Sequence, residues 1–277
     1  MPDPAARRVF LRPLPDALVP GRHSSGARRR PAELQRFLAP LEQAAGAALP
    51  VTGTVQLLVV ASRDWRRLSS HPYGLPFART GRDLVSLIVA ADYPPRLTGR
   101  FDGLLLRAGQ SGVSPPGDVR EFLDLLVGHE WGHAVANRAG LRTRVKWFDE
   151  LMATYLFAQG MRAAGRGATL SRLEAWARLQ TAATAECSGA LDGFEYPRGK
   201  MRLARMLWYQ GVFTERALAL SATRGWLFAR AIADRLPASD RGHLARSLVD
   251  VEPGFRPWFA VFAREEAEPD AGPPDDA

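Results

Sequence analysis

A chain of 277 residues with 46% hydrophobic content is long enough for one large domain, or two closely packed lobes, around a substantial core. Its single cysteine, Cys187, excludes an internal disulfide and a thiolate metal site, so any chemistry falls to histidines and carboxylates. The formal charge is +8, yet residues 264–277 alone carry −5, so the body is more basic than the total and would attract acidic peptides or other anions. Basic and aromatic residues do not alternate as in a single-strand binding platform, so no specific nucleic-acid partner is expected.

Residues 1–19 are interrupted by Pro2, Pro4, Arg7, Arg8, Arg12, Pro13, Pro15 and Asp16, and lack the apolar core of a secretory signal. No stretch reaches the ~18 apolar residues of a membrane span, so a cytoplasmic protein is expected. Residues 1–30 read as a weakly ordered lead-in, with 21–30 the most loop-like part. A helix opens at Pro31, with Leu34, Phe37, Leu38 and Leu41 on one face and a kink at Pro40. Strands are predicted over 54–60, 84–91 and 103–107, with a Gly- and Pro-rich loop over 73–82.

From residue 118 the pattern turns helical, over about 118–138, 147–163, 171–187, 199–221, 223–236, 240–249 and 255–266. Ser171 and Glu174 read as a capping box opening the third of these. Residues 267–277 read as an acidic disordered tail. The expected fold is α+β: a small, mostly β amino-terminal lobe (31–117), an active-site helix at the junction and an all-helical carboxy-terminal lobe (118–266), with the cleft between them.

The helix over 118–138 carries His129-Glu130-Trp131-Gly132-His133. Two imidazoles four residues apart share one helical face and can hold a zinc ion, while the carboxylate between them can activate a water. A tetrahedral zinc needs one more protein ligand besides its water. Ala136 and Ala139 exclude a continuation with a histidine or aspartate at 139, leaving Asp149 and Glu150 as the next candidates.

With Glu150 set in Trp147-Phe148-Asp149-Glu150-Leu151-Met152-Ala153-Thr154, the pair of segments resembles the gluzincin zinc metallopeptidases. The resemblance implies that His129, His133 and Glu150 hold Zn2+, that Glu130 is the general base, and that Ala153 lets the two helices approach. It further implies hydrolysis of a peptide or protein substrate, with a Tyr or His of the helical lobe stabilising the oxyanion, for which Tyr196 is the best placed by sequence. Leu151 departs from the family's usual Gly, and Thr154 stands where several members carry an Asp that orients a histidine ligand. These departures keep open an alternative, a gluzincin-like zinc protein that acts as a binding or regulatory module without proteolysis. Gly132 reads as a close-packing residue.

Overall fold

The computed structural model describes residues 9–27, 29–110, 112, 117–197, 201–238 and 240–262, and the predicted tail 267–277 lies outside them. The fold is α+β, with a five-stranded sheet in the amino-terminal region and helices through the remainder. In chain order the elements are β1 (Arg12–Pro13), β2 (Gly21–His23), α1 (Arg29–Ala48), β3 (Thr54–Val60), α2 (Ser62–Leu68), β4 (Phe77–Thr80), β5 (Leu84–Ala90) and α3 (Pro95–Gln110). Then follow α4 (Val119–Arg138), α5 (Lys146–Ala163), α6 (Gly167–Ala183), a 3-10 turn (Ala185–Cys187) and α7 (Leu191–Glu195). The chain continues with α8 (Leu203–Thr223), α9 (Leu227–Ala233), α10 (Arg241–Val251) and α11 (Phe255–Ala260).

The sheet runs β1-β2-β3-β5-β4. Its centre is parallel (β2, β3, β5), while β4 pairs antiparallel with β5 and forms one edge. Alternation along β3 and β5 sorts their side chains by face. Val55, Leu57, Val59, Val85, Leu87 and Val89 join the main core, whereas Leu58, Val60, Ile88 and Ala90 close over Trp65 of α2 on the other face.

Four expectations are corrected. The lead-in contributes β1 and β2, because three residues suffice for a strand when β3 offers a ladder, Gly21 to His23 pairing with Leu57 to Val59. Within the loop predicted over 73–82, Phe77 to Thr80 form β4. The stretch 103–107 is helical: Phe101 and Leu104 are buried and Leu97 packs beside them, an i, i+4, i+7 stripe that makes α3 a helix begun at Pro95. Ser171 lies inside α6, whose first residue is Gly167, and its hydroxyl donates back to the Gly167 carbonyl at 3.2 Å. The first turn, Gly167-Ala168-Thr169-Leu170, opens on a glycine and has one large apolar residue, too little for periodicity to mark it.

α4 begins at a side-chain cap, Asp118 accepting from the Arg120 N–H at 2.7 Å. It ends where Gly140 takes a left-handed φ of 69° and the Leu141 N–H returns to the Ala136 carbonyl at 2.8 Å. α5 is buried on all sides, 14 of its 18 residues lying in the interior, as befits a helix apolar around its whole circumference. It packs against α1, α4, α6, α7 and α8 and is the axis of the molecule.

A buried ionic link ties α1 to the end of α4. Arg138 pairs with Glu42 at 2.5 Å, and the other Glu42 oxygen accepts from the Trp131 indole at 2.9 Å. Both charged side chains are under 10% exposed. Arg138→Met is expected to strand the Glu42 carboxylate and cost about 3–5 kcal/mol in a denaturant titration.

A second link uses Arg30, which bridges the Ala90 carbonyl, Asp124 and the Tyr93 hydroxyl and stacks over the Tyr93 ring. Arg30 is therefore a structural cation. No helix among the described residues is long and apolar enough to cross a membrane.

Candidate metal centre

The site depends first on how closely α4 and α5 approach. A Cβ on Gly132 would sit 2.0 Å from the Ala153 carbonyl oxygen, and one on Gly128 would sit 2.0 Å from the Phe157 ring. Glycine at 132 lets the two helices meet backbone to backbone, as expected for Gly132 and Ala153, and glycine at 128 leaves room for the Phe157 ring. This proximity brings Glu150 of α5 to the histidines of α4.

The two imidazoles stand edge to face, with ring centres 4.7 Å apart. Between them lies the Glu150 carboxylate, Oε2 at 3.1 Å from His129 Nε2 and Oε1 at 3.4 Å from His133 Nε2. One turn on, the Thr154 hydroxyl donates to the Glu150 carbonyl at 3.1 Å and so offers its oxygen to His129 Nδ1 at 2.9 Å. The network thereby sets the tautomer: Nδ1 carries the proton and Nε2 turns its lone pair toward the carboxylate. Two acceptors facing each other require positive charge between them, either extra protons on the imidazoles or a shared metal cation. Ligand atoms 2.0–2.1 Å from a tetrahedral zinc lie about 3.3 Å apart, so the observed separations fit the ion.

Glu130 comes to the same place, with a carboxylate oxygen and the ring nitrogens of His129 and His133 all within 4.8 Å of one another. Its Oε2 accepts the Ala78 N–H at 2.8 Å, so β4 holds the carboxylate from the sheet side. Glu130 and Glu150 are thus alternatives for a third ligand, but only Glu150 spans both imidazoles.

Burial pushes the Glu130 carboxyl up to about 7, opposed by the charge of His133 and the Ala78 hydrogen bond and assisted by the nearby Glu150. For Glu150 burial acts in the same upward direction, but hydrogen bonds and charge from both histidines outweigh it and hold the carboxyl well below its usual range.

Asp149, the competing ligand in the sequence, turns away from the histidines' nitrogens. Its Oδ1 accepts from the Thr143 N–H at 2.8 Å and the Thr143 hydroxyl at 3.1 Å, closing the loop that leads into α5. Trp147 is buried against Phe148, Trp258 and Phe259, and Leu151 is core.

Tyr196 is not brought to the cluster. Its side chain is 63% exposed, with the Arg241 guanidinium 4.9 Å above the ring, and it does not line the cavity. A position close to α8 in sequence is thus not one beside the histidines and Glu150. Tyr209 is core, its hydroxyl donating to the Ala190 carbonyl at 2.6 Å. His71 lies in a loop against Phe77, whereas His23, expected in a loop, is buried in β2.

The cluster forms one wall of a cavity of about 230 Å³. Phe101, Phe122, Leu126, Phe157, Trp176 and Leu207 are among its lining, from α3, α4, α5, α6 and α8. A wider depression of about 820 Å³ beside α2, lined by Arg63, Arg66 and His71, contains none of the cluster.

One polar partner was not foreseen. The Gln210 amide of α8 donates to Glu150 Oε2 at 2.8 Å. Its sequence signal is a lone amide in the apolar run from Leu207 to Phe213. Compared with protein-family profiles, curated proteins and solved structures, the chain gives no match.

Proposed function

We propose that this chain is a zinc-dependent metallopeptidase of the gluzincin type, acting in the cytoplasm on peptides or unfolded protein. The observation that carries the reading is the Glu150 carboxylate set 3.1 and 3.4 Å from the two Nε2 atoms, tautomer-fixed at His129 by Thr154. His129, His133 and Glu150 would hold the ion. When bound, zinc would polarise the scissile carbonyl and lower the pKa of its water.

Glu130 would take a proton from the attacking water and later hand it to the leaving amine, a task suited to a carboxyl that burial has raised to about 7. The Ala78 N–H keeps Glu130 aimed while the proton moves. The apolar cavity excludes bulk water and receives a large apolar side chain of the substrate, for which about 230 Å³ is room for one residue.

Protein purified without added zinc is expected to carry one zinc per chain and to cleave a peptide library beside large apolar residues, with chelation abolishing cleavage and zinc restoring it. Absence of stoichiometric zinc overturns the metal reading. Zinc without cleavage overturns the peptidase reading and favours a binding or regulatory role.

A further inference from the structure

We infer that Gln210 is a positioning residue of the metal centre, fixing the Glu150 carboxylate so that the cluster holds its cation tightly; this rests on the metal reading above. Rotation of a glutamate carboxylate about its last bond is soft, and its two oxygens are equivalent until a neighbour tells them apart. Here the neighbours differ. Oε1 faces His133 at 3.4 Å, whereas Oε2 faces His129 at 3.1 Å and also accepts the Gln210 amide at 2.8 Å. The third contact stops the rotation with one oxygen opposite each imidazole.

α8 is anchored well enough to act as this stop. A Cβ on Gly211 would lie 2.8 Å from Thr181 Cγ2 and 3.0 Å from the Ala177 carbonyl, so α8 is seated directly on α6 beside the amide. The Thr214 hydroxyl donates to the Gln210 carbonyl at 2.7 Å and secures the backbone that carries it.

The type of donor also matters. An ammonium or guanidinium in this position would neutralise Glu150 and repel the incoming ion. A carboxamide orients the carboxylate while leaving its charge for the metal, and its donor does not titrate.

The test is zinc affinity, measured by competition with a chromophoric chelator, together with the thermal midpoint of the zinc-free protein. Gln210→Met keeps the length of the side chain and removes the donor. It is expected to bind zinc about 10- to 100-fold more weakly, with the zinc-free midpoint unchanged.

Gln210→Lys keeps a donor but adds charge, and is expected to weaken zinc at least as much. It also serves if the Met variant does not fold. Zinc affinity within twofold of wild type in either folded variant overturns the inference, as does weakened affinity matched by a collapse of the zinc-free midpoint. If wild type itself binds no zinc, the metal reading has failed before the role of Gln210 is reached.

Discussion

Glu130→Gln is expected to lower peptide hydrolysis by roughly 10²–10⁴-fold while zinc content and folding stay at wild-type levels. The separation follows from where the side chain sits. Glu130 is not the carboxylate placed between the imidazoles; Glu150 is. The fold asks of Glu130 only an acceptor for the Ala78 N–H, and the amide oxygen of glutamine supplies one at the same length. What glutamine lacks is the capacity to take a proton from water. Metal analysis, a denaturant titration and single-peptide kinetics on the same preparation check the three parts. Equal turnover by both proteins would remove Glu130 from the chemistry, and loss of zinc in the variant would make it a ligand.

Gly132→Ala is expected to cost about 3 kcal/mol or more and to yield little folded protein. The added methyl would meet backbone, with the Ala153 carbonyl oxygen at 2.0 Å, its carbon at 2.7 Å and the Ala153 Cα at 3.0 Å. No rotamer change relieves such a contact, so α4 and α5 must part, and with them the histidines and Glu150. Gly103→Ala in α3 is the matched control, because nothing lies within 4 Å of the added atom. Removing a helical glycine there is expected to stabilise by about 0.5–1 kcal/mol. Urea titrations of the two variants give opposite signs if the close approach is the cause, and equal small shifts if it is not.

The helices that carry the site were legible because local signals and long-range packing agree in them. Asp118 caps α4 and Gly140 ends it, so the predicted 118–138 matches Val119–Arg138 within a residue. The pairing of Glu150 with both histidines was reached through a family resemblance, and the structure brings the same three side chains together. The failures share one physical origin. β2 and β4 are three and four residues long and exist only because a neighbour in the sheet offers a ladder. The run from Gly103 to Arg107 is too short for periodicity to separate strand from helix, and the stripe with Leu97 and Phe101 decides it. Tyr196 is near α8 in sequence only, whereas Gln210, seven residues into that helix, is the group that faces Glu150.

The burial of α5 has a consequence for how such a protein can change over time. Glu150 and Thr154 stand on the helix with the least contact with water, and most substitutions around them disturb the packing of five neighbouring helices at once. Three of the residues lining the cavity are under less constraint. Leu75, Arg100 and Met206 line it from exposed positions, on a loop, on α3 and on the first turn of α8. The wall that would hold the metal is locked to the stability of the whole chain, while these exposed lining positions can vary, so selectivity can drift there without loss of the chemistry.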